Sequence, residues 1–398
     1  MNTSQSCVHE VRRAALPVLG VAALFIVVAC GGSGGSSPAA SLTTGSATNG
    51  SATNGGGTNG SGSNGSNAGS TNGGTNSSGG ATGSSAPTWT TYSPAGGPAA
   101  LNEAGNYLSY PSGFTTADYS PSFTASKSAF ITVSTPTGLA YMGAAAVNSV
   151  GQIAAGAFAN DSLDTIPFYW SSPSAKPVAL DLPAGVQYAF PAVISKGGVI
   201  VCRVINATSQ NDYYLYTSPS AKPIKILSNI ENGADVSISD SGVVVITTVS
   251  TTVQSQIFEA PYTGTPISVK GPSGSTAVGN AEIGPDGTIV GDDATGGFYM
   301  LPNQYSKPAY IGTNYFLLGV NSKEHMCGFH NGGGGNDNVA VWWSSPTAKP
   351  TTVKDSSTVQ YTFASTILDD DSLVAEDDYG HSYYLLATAA SAAVPGKR

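Results

Sequence analysis

What this 398-residue chain has least of is charge: Asp, Glu, Lys and Arg make up 10% of it, where an average soluble protein carries about a quarter. Cations are the scarcer sign, with 15 lysines and arginines against 24 acids and a formal net charge of -9. That balance excludes a nucleic-acid partner, since holding a phosphate backbone takes a surplus of cations on at least one face. Cysteine is rare as well; the four present lie too far apart for zinc-ligand spacing. No apolar run reaches the roughly 20 residues that a membrane-crossing helix needs. Helical apolar periodicity never lasts beyond a turn or two, which removes the helical fold classes. Catalytic signatures are also missing: the chain beyond the linker has no Gly-x-Ser-x-Gly elbow, His-Glu-x-x-His pair, phosphate-cradling Gly-x-x-x-x-Gly-Lys loop or Asp-x-Asx-x-Asx-Gly calcium loop. The Ser-x-Asp-x-Gly box of sialidases fails too, because Ile238 stands where its serine should precede Asp240. No catalytic residue, cofactor or metal ligand is therefore assigned from a motif.

What is present begins with an address. Arg12 and Arg13 close a short polar stretch, the sixteen-residue apolar run Ala14–Ala29 follows, and then comes Cys30. A run of that length suits the h-region of an export signal. Val27-Val28-Ala29-Cys30 resembles the lipobox of bacterial lipoproteins. The resemblance implies cleavage before Cys30, diacylglycerol on its thiol and a further acyl chain, such as palmitate, on the new amino terminus. Two or more chains anchor stably where one is marginal. Gly31 follows in place of the aspartate that marks inner-membrane retention, so the resemblance implies the outer membrane of a bacterial envelope.

Residues 30 to 85 follow the signal peptide of 1 to 29 as a tether. From Gly31 to Ser85 the chain is Gly, Ser, Asn, Thr and Ala apart from Pro38 and one large apolar residue, Leu42, with no charge. Such composition buries too little surface to offset its ordering entropy and is expected to stay a flexible coil. As a Gly/Ser-type linker its root-mean-square span is roughly 40 Å.

At Thr88-Trp89 the composition changes to short alternating strands punctuated by Pro, Gly and Asp, so residues 86 to 398 read as all-β. A repeat runs through them. PFYWSSPSAKP from Pro167 parallels VAVWWSSPTAKP from Val339, and YYLYTSPSAKP ends at Pro223. Upstream of the aromatic strand stands a polar turn with glycine, as in VNSVGQI from Val147 and ISDSGVV from Ile238. Counting that glycine position gives Gly105, Gly151, Gly198, Gly242, Gly287, Glu324 and Ser372, in steps of 46, 47, 44, 45, 37 and 48. An aromatic position keeps pace as Tyr119, Trp170, Tyr216, Phe258, Tyr299, Trp343 and Tyr384. A period of 40 to 50 residues with about four strands predicts β-propeller blades, here seven. The last unit lacks its fourth strand, and APTWTTYSPAG from Ala86 to Gly96 resembles the missing piece, so the amino-terminal strand is expected to close the ring.

In these landmarks the units resemble the HAF-type extracellular repeat, an Ile-Asn-x-x-Gly-x-Val turn leading to an aromatic-Trp strand. Val147-Asn148-Ser149-Val150-Gly151-Gln152-Ile153 with Phe168-Tyr169-Trp170 carries the likeness best. The resemblance implies the fold and no activity.

Several clusters could carry function. Tyr107, Tyr110, Phe114 and Tyr119 form an aromatic-rich stretch that could be a contact surface or blade packing. Asp369, Asp371 and Asp377, with Asp370, Glu376 and Asp378, concentrate acids in the last unit. These oxygens suit calcium, or form a solvated turn. His325 and Cys327 share a strand face and could hold copper or zinc, or be a buried strand. Cys202 and Cys327 fall three units apart and are expected as separate thiols.

The expectation is a lipid-anchored, monomeric seven-bladed propeller that binds a protein or glycan without catalysis. Its domain carries 13 bases and 23 acids, which steers cationic or neutral partners toward it. The rival is a hydrolase or lyase of extracellular polysaccharide, which requires Asp369, Asp371, Glu376 and Asp377 to converge near His325 or His381.

Overall fold

Each repeat unit folds into one antiparallel sheet of four strands, and strands such as Ile153–Phe158 and Ile200–Ile205 are buried on both faces, so each sheet has to be covered on both sides by a neighbour. In this computed structural model residues 87 to 388 are described, apart from 111–113, 160–163, 187, 250–252, 333–336, 356 and 358. The expected signal peptide, Cys30 and the tether lie outside the described residues. Among those described are seven four-stranded sheets, a single 3-10 turn at Lys127–Ala129 and no α-helix. The protein is a seven-bladed β-propeller.

The innermost strands, in blade order, are Ala100–Leu101, Tyr141–Val147, Tyr188–Ile194, Ala234–Ile238, Gly279–Ile283, Tyr315–Val320 and Phe363–Ile367. From blade 1 onward each touches the innermost strand of the next blade, through to blade 7. Blade 7 returns to blade 1 where the Asp369 amide donates to the Glu103 carbonyl at 2.6 Å. Three strands of blade 7 come from the carboxyl-terminal end of the fold; its outermost strand is Thr88–Tyr92, paired with Ser382–Thr388 from Thr88↔Thr388 to Tyr92↔Tyr384. The amino-terminal strand closes the ring as the sequence implies.

The core sits in the seams. Leu108 and Ala117 of blade 1 pack with Met142, Ile153 and Trp170 of blade 2, and Trp89 joins Trp342, Leu373 and Leu385 between blades 6 and 7. The aromatic position needs correction. Register places Trp170, Tyr216, Phe258 and Trp343 opposite Ile153, Ile200, Val244 and Met326, and these four face the preceding blade. In the other three blades that register belongs to Ser120, Met300 and Leu385. Tyr119, Tyr299 and Tyr384 are one residue earlier, on the opposite sheet face: Tyr119 packs toward blade 2, and Tyr384 meets Phe123 of blade 1 at 5.7 Å between ring centroids. Counting to the nearest aromatic slips by one wherever the seam residue is not aromatic.

Cys202 and Cys327 are buried and unpaired, in agreement with their separation by three blades.

Candidate functional site

The site is built from one backbone motif used seven times. After each innermost strand the chain turns through a residue whose amide donates to the carbonyl four residues on, while the amide three residues on donates back to its own carbonyl. The first residues of these turns are Asn102, Asn148, Ser195, Ser239, Gly284, Asn321 and Leu368. The fourth position needs a positive φ, supplied by Gly105, Gly151, Gly198, Gly242 and Gly287 and, without glycine, by Glu324 (φ 60) and Asp371 (φ 68). Asp371, not Ser372, therefore holds the position in blade 7.

Neighbouring turns are tied to one another. Asn148 Nδ2 donates to the Ser195 carbonyl at 2.8 Å and Asn321 Nδ2 to the Leu368 carbonyl at 2.8 Å. The Asp240 amide donates to the Pro285 carbonyl at 2.9 Å. The turns thus form a rim around the axis, and their second residues, Glu103, Ser149, Lys196, Asp240, Pro285, Ser322 and Asp369, all line one cavity of about 200 Å³. Glu282, the penultimate residue of its innermost strand, also lines it.

The electrostatics of this axial mouth are one-sided. Asp240 lies 3.6 Å from Lys196 Nζ, a half-exposed pair worth little by itself. Asp369 Oδ1 accepts from the Ser322 amide at 3.0 Å and hydroxyl at 2.5 Å. Burial pushes Glu103 from its ordinary 4.5 up to about 7; its own backbone amide opposes this, and the charges of Asp369 and Asp240 add to it. Glu282 is driven well above the ordinary range, first by burial and then by Glu103 and Asp235. Burial raises Asp240 too, with Lys196 pulling the other way.

The candidates read from sequence lie elsewhere. Tyr107 is fully buried, its hydroxyl donating to the Ala95 carbonyl at 2.7 Å, and Tyr119 is buried against blade 2, so neither presents a contact surface. Tyr110 and Phe114 are half-buried, and their rings meet in a tilted arrangement with centroids 5.1 Å apart. The acids of blade 7 do not converge: Asp369 and Asp371 precede the strand Leu373–Glu376, and Asp377 follows it at the opposite end. Asp371 Oδ1 meets His325 Nδ1 at 2.6 Å, whereas Asp377 Oδ2 meets His381 Nδ1 at 2.9 Å. Desolvation lifts Asp377, but hydrogen bonds from His381, Tyr383 and Tyr379 outweigh it and hold the carboxyl at about 2. These two pairs tie loops at opposite ends of the blade, so the pocket that the hydrolase assignment requires is not formed. Among the described residues no three His, Cys, Asp or Glu side chains come together to hold a metal, so Asp369, Asp371 and Asp377 make no shared cation site and His325 with Cys327 makes none either.

No protein-family model and no curated protein sequence matches this chain. Among solved structures it aligns with several at low identity. A prolyl endopeptidase aligns over 76% of this chain and 50% of its own at 10% identity and a TM-score of 0.49. The tricorn protease aligns over 76% and 33% at 11% identity, also with a TM-score of 0.49. YCF48, solved bound to a D1 peptide, aligns over 78% and 99% at 11% identity with a TM-score of 0.46. The chain spans half the length of the first and a third of the second.

Sequence reasoning missed Glu103, Lys196, Asp240 and Glu282 as a group. A signal for the first three existed: each follows the first polar residue of the repeated turn, and a position adjoining the turn's start in every blade must meet its equivalents at the axis. Glu282 left no such trace, because no acid stands at its position, second from the end of the innermost strand, in the other six blades.

Proposed function

We propose that the protein is a non-catalytic binding module, displayed from the bacterial outer membrane by acylated Cys30 and a long tether, that holds a protein or glycan ligand over the axial mouth. The observation that carries this reading is the ring of second-turn residues, one per blade, converging on a cavity whose Glu282 carboxyl has no hydrogen-bond partner among the described residues. A site assembled from all seven blades is rigid, since each contributor is pinned by its turn and by the neighbouring turn, and rigidity lowers the ordering cost of binding. The divided acids of blade 7 leave the hydrolase or lyase assignment without its acid and base pair. The lipobox-like Val27-Val28-Ala29-Cys30 and the uncharged tether supply the anchoring half of the proposal.

The test is capture of outer-membrane proteins and an array of glycans by the purified protein, compared with Ser149→Trp, which fills the mouth from a half-cavity position without touching a carboxylate. Partners retained by the wild type and lost by the variant support the proposal; equal retention by both overturns the mouth as the site. For the anchor, Cys30→Ala is expected to abolish labelling by radiolabelled palmitate and to move the protein out of the membrane fraction, and an unchanged distribution contradicts it.

A further inference from the structure

The blades place a second set of loops on the face that carries the mouth. The last residue of each third strand pairs with the residue that leaves the axial turn, as Trp170 does with Ile153 and Trp343 with Met326. The loop from third to outermost strand therefore lies just outside the turn: a Cβ on Gly151 would stand 3.8 Å from Pro173 Cδ, and one on Gly287 3.5 Å from Pro302 Cγ. In blades 1, 2, 3, 5 and 6 that loop carries an exposed lysine, Lys127, Lys176, Lys222, Lys307 or Lys349. Local chemistry sets three of them in the same way. The Ala175, Ala221 and Ala348 amides close a turn on the Ser172, Ser218 and Ser345 carbonyls, lysine follows, and then proline. A residue before proline is held to extended backbone, so the turn ends at the lysine.

Charge on this face is sorted by distance from the axis. The outer loops hold those five lysines and one acid, Glu259, whereas the axial turns hold Lys196 and Lys323 with seven acids. Most of the acids are engaged nearby: Asp286 by Thr288, Asp369 by Ser322, Asp370 by the Ser372 amide, Asp371 by His325 and Asp240 by Lys196. Of the outer lysines only Lys222 has an ion partner among the described residues, Asp181 at 2.6 Å. The charges left without a partner around the edge of the face are positive.

The chain enters the fold at this same end. Thr88 stands opposite Thr388, and the adjoining Trp89 is bonded to Asp371 of the blade 7 turn. A body held by a chain that joins it on one face offers that face first to whatever holds the chain. Shape narrows the partner further. A plane resting on the outer loops meets lysines of several blades together without entering the mouth, whereas a linear polyanion laid across the disc has to cross the acidic turns.

We propose that the outer loops, through Lys127, Lys176, Lys222, Lys307 and Lys349, dock on an anionic phospholipid surface, that of the membrane holding acylated Cys30. This rests on the anchoring half of the function proposed above and adds the orientation of the propeller. Docking covers the mouth, so membrane and ligand compete for this face, each weakening the other by the same factor.

The test is lysine footprinting of the protein purified from membranes and reconstituted into vesicles of phosphatidylglycerol with phosphatidylcholine, or of phosphatidylcholine alone. Neither lipid has a primary amine to consume the reagent, sulfosuccinimidyl acetate, and mass spectrometry reads each lysine. Lys127, Lys176, Lys307 and Lys349 are expected to react roughly fivefold or more slowly on the anionic vesicles and to recover in high salt. Lys270 and Lys354 follow the outermost strands Ile267–Ser268 and Thr351–Thr352, which lead away from this face, and are expected to react equally on both. Lys307→Gln with Lys349→Gln is expected to release the protection of Lys127 and Lys176. Lys270→Gln with Lys354→Gln, an equal change of net charge, leaves it in place. All four lysines are exposed, and unchanged thermal transitions show that both variants fold.

Equal rates on the two vesicles, protection of Lys270 and Lys354 instead, or protection that survives Lys307→Gln with Lys349→Gln overturns the proposal. So does protection by soluble heparin where phosphatidylglycerol gives none, which assigns the face to an acidic polysaccharide. If the protein fails to float with neutral vesicles, the Cys30 anchor falls. Flotation with anionic vesicles alone, weakened by Lys307→Gln with Lys349→Gln, then keeps the docking face, and flotation with neither overturns it.

Discussion

The indole Nε1 of Trp89 donates to the backbone carbonyl of Asp371 at 3.0 Å, joining residues 282 positions apart. Asp371 is the left-handed residue of the blade 7 turn, and its side chain also accepts from Asn321 Nδ2 at 3.3 Å and pairs with His325. One residue thus connects the closing strand, the turn that rims the mouth and blade 6. Closure of the ring and geometry of the site are the same event.

Trp89→Phe keeps an aromatic ring beside Trp342, whose centroid lies 6.0 Å away, and loses the indole donor. The expected cost is about 1 kcal/mol. Trp89→Ala also empties a core position that is 2% exposed and is expected to cost roughly 3–5 kcal/mol. Urea unfolding of both variants checks this; equal stability of Trp89→Ala and wild type would contradict the packing described.

The turns predict substitutions of opposite sign. Glu324 holds φ 60 and its carboxylate accepts no hydrogen bond from the described residues, so Glu324→Gly is expected to stabilise by roughly 0.5–1 kcal/mol. Gly242→Ala is expected to destabilise by more than about 1 kcal/mol, because φ is 91 and a Cβ would stand 2.8 Å from the Tyr262 hydroxyl, which donates to the Gly242 carbonyl. Asp371→Gly gains no stability, since the relief of backbone strain is offset by the bonds to His325 and Asn321. Thermal denaturation of the three variants ranks them.

Much of this architecture was legible in the chain. The repeat, its count of seven and the displaced closing strand all follow from turn chemistry and period, which are local properties. The aromatic count slipped at Tyr119, Tyr299 and Tyr384 because the seam position is defined by which blade it faces, and Ser120, Met300 and Leu385 satisfy it without a ring. The aromatics at Tyr107 and Tyr119 looked like a surface because a sequence does not record that the neighbouring blade covers them. The acids of blade 7 looked like a cluster because nearness along the chain hides the strand that separates Asp371 from Asp377. The mouth itself needed the ring: Glu103 and Asp369 are 266 residues apart in sequence and adjacent in space, with the amide of one bonded to the carbonyl of the other.

Glu103 predicts how stability responds to pH. Its carboxyl rises from 4.5 to about 7 on folding, so between those values the unfolded chain has released a proton that the folded protein retains. Stability contributed by this group falls as pH rises from 4.5 and the loss is complete above 7. Glu103→Gln is therefore expected to match wild type near pH 4 and to exceed it near pH 8. The gain is at most roughly 3 kcal/mol, and smaller where channel water reaches the carboxyl. A variant less stable than wild type at pH 8 contradicts the burial assigned to Glu103.

Cys202 and Cys327 are fully buried, and burial pushes both thiols up, away from the reactive thiolate. Iodoacetamide is expected to leave both unmodified in the native protein and to alkylate both in urea. Peptide mapping by mass spectrometry reads the result, and native-state labelling of either would contradict the seam packing.

Closure of the ring through Thr88–Tyr92 is what brings Asp369 to Glu103 and completes the mouth, and amide hydrogen exchange measures it most directly. Amides of residues 88–92 and 382–388 are expected to exchange as slowly as those of 200–205 in the middle of blade 3, released only by unfolding of the whole fold. Exchange of 88–92 at the rate of an exposed loop, while blade 3 remains protected, would show an open ring and contradict both the closure and the site built on it.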